Sequence, residues 1–149
     1  VLSYKYKLED VLKEKSGVVY KIRVTPRKTG DATVKGLLYV NDSTWNINRL
    51  ELTLEKGGLR FYDAFTIRQN YEEIEKDFWI PIEQEFVYET KASGKLFKGI
   101  TVLRFSEYQK DYTFPPRFFG NEVAVTTREA YKRDSSFWNA ARILPLTED

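Results

Sequence analysis

The sequence has no histidine, no cysteine and no methionine in 149 residues. Without histidine and cysteine the chain cannot build Ser–His or Cys–His catalytic pairs, zinc sites of the usual nitrogen and sulfur type, or imidazole acid–base chemistry. The lack of cysteine also means that disulfides cannot indicate the redox compartment. We therefore predict no catalytic residue, no metal site and no cofactor, and we expect that the protein is not an enzyme.

Long apolar segments and nucleotide-binding motifs are missing too. No apolar run approaches the roughly 20 residues of a membrane span, and no charged-then-apolar signal segment is present. The glycines form neither GxxxxGK[ST] nor GxGxxG. Because the sequence starts at Val1 and has no methionine, we expect a fragment of a longer protein. Its length favours one β-rich domain over residues 1–149, with a linker beginning at 143–149.

The net charge of +2 is small but unevenly distributed. Residues 1–50 carry ten Lys/Arg against five Asp/Glu, whereas residues 51–149 carry fourteen against seventeen. A basic first third is typical either of a surface for an anionic partner or of edge strands that lysines protect from pairing. Aromatics among these cations leave an oligonucleotide-binding barrel open as one alternative. The leading prediction is that no nucleic acid binds.

Three consecutive antiparallel strands are predicted in the centre of the chain, over residues 33–40, 44–54 and 59–71. Turn residues occupy both joints, at Asn41–Ser43 and Lys56–Gly58, as hairpins require. Aromatic residues make up 15% of the chain, which suits β-structure. The central part of the chain is therefore expected to be a β-meander.

The apolar phase changes inside the second of these strands. Trp45 and Ile47 occupy odd positions, and Leu50 and Leu52 occupy even ones. One extra residue is needed near Asn48–Arg49 if a single face is to stay buried, which predicts a β-bulge there.

In the third strand, the polar residues Asp63 and Gln69 share the phase of apolar neighbours. They are expected to be hydrogen-bonded or to face a wet cavity.

Alternating segments on either side predict further strands. Tyr4–Glu9 and Val18–Thr25 alternate with period two, and Pro26 should end the second of them. Phe78–Glu89 alternates as well, with Pro81 indicating an edge position or a break. Glu83, Glu85 and Glu89 lie on its other phase, where a solvated face is favoured over paired catalytic carboxylates.

The last predicted hairpin turns at Lys91–Gly94 and leads into 96–105. That segment is apolar on both phases, which predicts a cover on both sides. Glu72–Asp77 is expected to be a charged connector. Together these segments predict a mainly β fold, a strongly curved antiparallel meander or half-barrel of about seven to nine strands.

The tail differs in character. Tyr112–Gly120 is irregular and aromatic, and Asn121–Thr126 is a candidate short strand. Asp134–Arg142 predicts a short C-terminal helix, with Asp134 or Ser135 as its N-cap.

The best candidate for a binding surface is aromatic. If the sheet curls, six residues would line its concave face: Trp45, Phe61, Phe65, Phe78, Phe86 and Tyr88. A curled sheet too open to fill itself leaves an apolar groove for a lipid acyl chain or for an apolar protein segment. The alternative is that these residues form an ordinary core beneath the tail helix.

The tail segments Arg133–Trp138 and Arg142–Glu148 resemble a sequence motif of a large uncharacterised family of bacterial outer-membrane proteins. Tyr20–Pro26 and Gly36–Trp45 are similar to that family's middle domain, which follows a carboxypeptidase-regulatory-like domain and precedes a predicted β-barrel. The same strand–turn–strand pattern also looks like lipoprotein-carrier (LolA/LolB-like) folds, in which a curved half-barrel holds acyl chains.

The resemblance implies a periplasmic location at the outer membrane and flanking domains as neighbours, without implying a reaction. We expect a non-enzymatic module that binds a lipid, an acyl chain or a protein partner. The alternative is a rigid structural or assembly spacer with no ligand.

Overall fold

The computed structural model divides into two compact units, Val1–Glu107 and Tyr108–Asp149. The prediction of one domain over residues 1–149 stays a prediction. The residues that the structure describes are 3–15, 17–28, 33–55, 59, 61–120 and 128–142.

The first unit is a seven-stranded antiparallel sheet, which confirms the prediction of a mainly β fold. Its strands follow chain order across the sheet, so each pairs with its sequence neighbours. They are β1 (Tyr4–Glu14), β2 (Gly17–Pro26), β3 (Val34–Asn41), β4 (Ile47–Glu55), β5 (Ala64–Glu75), β6 (Phe78–Ala92) and β7 (Lys95–Arg104). In the described residues β1 and β7 form the two edges, and the sheet is unclosed.

The turn predicted at Lys56–Gly58 lies outside the described residues, whereas the turn that ends β6 follows the predicted chemistry. Ser93 and Gly94 join β6 to β7 with φ of 51° and 77°, the left-handed pair that a two-residue hairpin turn requires. Pro26 ends β2, as expected. The connector predicted at Glu72–Asp77 is much shorter, because β5 continues to Glu75 in register with the start of β6. Backbone pairing therefore outweighs the charge of this segment.

A bulge lies where the phase change predicts it. Tyr39 pairs with Arg49 and Val40 pairs with Ile47, which leaves Asn48 as the extra residue in β4. Its side-chain amide donates to the Asn41 side-chain oxygen at 3.1 Å. The bulge places the leucines of β4 on the same face of the sheet as their paired residues in β3.

A second bulge lies next to Pro81 and explains how β6 accommodates a proline. Asn70 pairs with Glu83 and Tyr71 pairs with Pro81, which leaves Ile82 without a partner in β5. The pairing of β6 with β7 begins only at Glu83, so the missing N–H of the proline interrupts no ladder there.

The sheet has two distinct faces. Paired residues point to the same side, and successive residues alternate. One side, here called the apolar face, carries Ile22, Val24, Leu38, Leu50, Leu52, Leu54, Phe65, Ile67, Phe86 and Tyr88. The other, the polar face, carries Lys21, Arg23, Tyr39, Arg49, Glu51, Arg68, Glu83, Glu85 and Arg104.

Few of the described apolar side chains are fully buried. Val19, Val24, Ile80 and Val87 are, and most other apolar residues of the central strands are half-buried. On β7, Leu96, Phe97 and Ile100 are each more than half exposed. The cover predicted on both sides of β7 stays a prediction.

One ion pair shows that the sheet is bent. Arg49 of β4 donates to the Glu14 carboxylate of β1 at 2.8 and 3.2 Å. In a flat sheet, three strand spacings of about 4.8 Å separate β4 from β1. The register places Asp10 of β1 level with Arg49 of β4, and Glu14 lies four residues further along β1. Two side chains do not bridge that diagonal unless the sheet bends toward the polar face.

In its described residues the second unit contains two short helices, α1 (Arg128–Lys132) and α2 (Ser135–Ala141). Asp134 caps α2 by accepting from the Phe137 backbone N–H at 2.9 Å, which confirms the predicted helix and N-cap. No helix in the described ranges is both long and apolar enough to cross a membrane. The strand predicted at Asn121–Thr126 and the linker at 143–149 lie outside the described residues.

Candidate binding site

Three of the six predicted groove residues come together on the apolar face. Phe65 of β5 pairs with Tyr88 of β6, and the Phe65 ring stacks on the Phe86 ring at 5.6 Å. Antiparallel pairing brings these side chains together, since diagonal neighbours on one face are within reach of aromatic rings. We call Tyr62, Phe65, Phe86 and Tyr88 the aromatic cluster.

Tyr62 is the member that the sequence prediction missed. Its ring lies 5.2 Å from the Tyr88 ring and 6.2 Å from the Phe65 ring. Strand phase from Leu59 onward assigns Tyr62 to the other face, but β5 begins only at Ala64, so that phase does not apply to it.

Asp63 anchors this segment to β6. Its N–H donates to the Glu89 carbonyl at 2.8 Å, and its carboxylate accepts from the Lys91 N–H at 2.7 Å. In the sequence, the position of Asp63 among apolar residues of the same phase indicated that hydrogen bonds hold the chain here. Gln69 behaves as expected too, since its side-chain oxygen accepts from the Tyr71 hydroxyl at 3.0 Å.

Gly99 of β7 makes room for the cluster. A Cβ at this glycine would lie 2.0 Å from Cε2 of Tyr88, so the Tyr88 ring occupies the space of the missing side chain. The ring therefore lies against the backbone of the neighbouring strand, which fixes one wall of the cluster.

The structure separates Trp45 and Phe78 from this cluster. Phe65 lies near the start of β5, whereas Phe78 pairs with Glu75 at the other end of that strand. Trp45 lies in the turn before β4 with φ of 60° and stacks on Tyr20 at 6.0 Å. Phe61 precedes β5 and is 75% exposed.

Beside Trp45, a polar contact orients Tyr20. Its hydroxyl donates to the Asp42 carboxylate at 2.9 Å, and this hydrogen bond raises the pKa of Tyr20. The stacked pair thus forms a second, smaller aromatic patch at the β3–β4 turn.

The polar face carries cross-strand ion pairs. Arg68 of β5 donates to Glu51 of β4 at 2.8 Å and to Glu85 of β6 at 2.5 Å, and these two hydrogen bonds raise the pKa of Arg68. Arg104 of β7 pairs with Glu83 at 2.9 Å. Glu83 and Glu85 of β6 are therefore engaged with arginines.

The same pattern recurs at both edges of the sheet. Glu9 pairs with Arg23 and with Lys21, and the Arg23 hydrogen bond lowers the pKa of Glu9. Lys98 of β7 lies 3.8 Å from Glu89. These are exposed pairs, which contribute little stability each.

A cavity of about 590 Å³ opens where β1, β4, β5 and β6 have their hairpin ends. Its walls include Glu14, Asn48, Tyr71, Glu73 and Trp79, and the indole N–H of Trp79 is buried with no hydrogen-bond partner among the described residues. Residues of β1 and β6 share this cavity although four strands lie between them, which agrees with the bend of the sheet. No group of three acidic residues suited to a metal ion occurs in the described part of the chain.

Residues 1–108 match the family of unknown function DUF5686. The chain belongs to this family. No curated protein and no solved structure matches it. The DUF5686 match ends within one residue of the boundary of the sheet unit at Glu107, so it includes all seven strands, both faces and the aromatic cluster.

Proposed function

We propose that this chain is a non-enzymatic module that binds a lipid acyl chain on the apolar face of its sheet. The observation that carries the proposal is the incomplete burial of that face: its leucines, isoleucines and aromatic cluster are mostly half-buried, so each keeps part of its surface accessible. Contiguous exposed apolar surface marks interaction sites. Burying what remains exposed contributes about 1 kcal/mol per large side chain, so several contacts support useful affinity.

The proposal places the module in the periplasm, next to the flanking domains of an outer-membrane protein. Support comes from Tyr20–Pro26 and Gly36–Trp45, which resemble the middle domain of such proteins. Both segments lie within the DUF5686 match, in β2 and in the β3–β4 hairpin.

The aromatic cluster is the proposed centre of the site. Phe65 and Phe86 present a stacked pair, and Tyr88 is held against Gly99. Apolar ligand sites are built from such side chains with few polar groups, here the Tyr62 and Tyr88 hydroxyls.

The first experiment is mass spectrometry of organic extracts from the purified chain, followed by titration with a fluorescent fatty acid. Phe86→Gln should weaken binding of the probe about tenfold, which corresponds to 1.4 kcal/mol. The matched control is Leu37→Gln, a half-buried residue of the polar face, which should leave binding unchanged. Near-UV circular dichroism reports whether each variant keeps its fold.

A rigid spacer without a ligand is the second candidate. The ion pairs Arg49–Glu14 and Glu51–Arg68–Glu85 favour it, because they join side chains of four of the seven strands, β1, β4, β5 and β6, across the sheet. Clean extracts together with no probe binding at its solubility limit would reject the lipid site in favour of this candidate.

A further inference from the structure

The outer edge of β7 differs from the other edge of the sheet. β7 pairs with β6 over ten consecutive residues with no register shift, and its other side has no partner strand among the described residues. β1, the opposite edge, is interrupted by a bulge at Glu9. Bulges and inward charges protect edge strands, whereas a long regular edge accepts a further strand.

β7 also exposes apolar side chains on both faces. Phe97 lies on the apolar face, Leu96 and Ile100 lie on the polar one, and all three are more than half exposed. An added strand would bury apolar side chains on both sides of the sheet, as strand addition does in peptide recognition.

The charges of β7 indicate what kind of strand fits. Its only charged residues are Lys95, Lys98 and Arg104, so every charge on the strand is positive. Lys98 and Arg104 each face a glutamate of β6, Glu89 and Glu83, and both side chains are more than half exposed.

Arg68, in the middle of the sheet, shows what a complete environment looks like. It binds a glutamate on the strand before it and another on the strand after it. Arg104 has the first of these partners, in β6, and its other flank is the sheet edge. Opposite charges in directly facing positions stabilise a strand pair, and like charges destabilise it.

We propose that the β7 edge binds an extended acidic–apolar segment of a partner protein by adding it to the sheet as an antiparallel strand. Acidic residues six positions apart would face Lys98 and Arg104, and apolar residues between them would face Ile100 and Val102. A second copy of β7 fits poorly, because antiparallel pairing centred on Thr101 sets Lys98 against Arg104. This proposal does not rest on the lipid site, since it uses the outer edge of β7 and not the aromatic cluster.

The test uses the whole chain and a ten-residue synthetic peptide. Every second residue of the peptide is threonine. The residues between the threonines, which would face Lys98, Ile100, Val102 and Arg104, are glutamate, valine, valine and glutamate. The control peptide has lysine in place of each glutamate. We expect the acidic peptide to bind with an affinity that falls as salt rises, and to slow hydrogen exchange at β7 amides. The lysine peptide should bind at least tenfold more weakly.

Variants locate the site. K98E/R104E should lose acidic-peptide binding at least tenfold and gain binding of the lysine peptide, and K98Q/R104Q should lose the preference between the two peptides. The second variant serves if charge reversal opposite Glu89 and Glu83 prevents folding. K5E/K7E on β1 is the matched control and should bind like the parent.

Three results would overturn the proposal: equal binding of both peptides, exchange protection confined to β1, or unchanged binding by K98Q/R104Q. A dimer in native mass spectrometry with protected β7 amides would replace the partner segment by a second copy of the chain.

Discussion

Arg49 and Glu14 are joined by two hydrogen bonds although β2 and β3 lie between their strands. The guanidinium also lies 4.0 Å above the ring of Tyr39, on β3. Burial lowers the pKa of Arg49 less than the Glu14 hydrogen bond raises it, so the net shift is upward. This contact links the curvature of the sheet to one pair of side chains.

Glu14→Gln and Arg49→Gln should each lower the free energy of unfolding by about 1–2 kcal/mol, because the pair is only half-exposed and doubly hydrogen-bonded. A double-mutant cycle, measured by urea unfolding, should give a coupling energy of similar size.

The matched control is the pair Arg104–Glu83, which joins adjacent strands and whose arginine side chain is 57% exposed. Its coupling should stay below about 1 kcal/mol. Equal coupling in both pairs would contradict the expectation that the less exposed, doubly hydrogen-bonded pair contributes more.

Gly36→Ala should be severely destabilising. A Cβ at this position would lie 1.9 Å from the carbonyl oxygen of Glu51, and φ is +156°, where side chains are rarely found. Since the obstacle is backbone of the neighbouring strand, relief requires β3 and β4 to separate, at a cost of about 3 kcal/mol or more. Thermal unfolding of the variant measures this, and a shift of only a degree or two would refute it.

Gly99→Ala should cost less, about 1–2 kcal/mol, because the group in the way is the end of the Tyr88 side chain. The variant should also weaken the proposed acyl-chain site, since the Tyr88 ring must leave its place in the aromatic cluster. In a Tyr88→Ala background, Gly99→Ala should be nearly neutral. A full penalty in that background would show that something other than the ring opposes the methyl group.

Helix α2 should lose helicity in acid. The backbone N–H of Phe137 and then the hydroxyl of Ser136 hydrogen-bond the Asp134 carboxylate and lower its pKa below the ordinary value of 3.8. A lowered folded-state pKa means that the contribution is complete above the unfolded-state pKa and disappears as the pH falls through the folded-state value.

NMR chemical shifts of Ser135–Ala141 should therefore stay constant down to about pH 4 and then move toward coil values. Asp134→Asn, which keeps a capping oxygen without the titration, is the control and should remove the pH dependence. The same acid transition in this variant would assign it to another group.

Local pattern was sufficient for much of the fold. The phase change around Asn48 predicted the bulge, Ser93 and Gly94 predicted a turn, and Asp134 predicted a helix start. Each of these depends on residues close in sequence, whose backbone preferences and alternation are readable without the partner strand. Strand ends were predicted less well, since Glu72–Glu75 joined β5 through pairing with β6.

The candidate site was only partly predictable for the same reason. Phe65, Phe86 and Tyr88 share a face by alternation, so their grouping followed from the sequence once β5 and β6 paired. The roles of Tyr62 and Gly99 could not be predicted in this way. Tyr62 lies outside the strand, and Gly99 contributes by having no side chain, which leaves room for the Tyr88 ring.

Alternation and turn chemistry along the chain thus determined that this protein is an antiparallel meander with one apolar and one polar face. Only the tertiary structure decided which way the sheet bends, that Arg49 reaches Glu14, and that β7 ends the described sheet as a regular basic edge. The reason is physical: side-chain period is a property of consecutive residues, whereas bend, register and edge depend on pairings between strands distant in sequence.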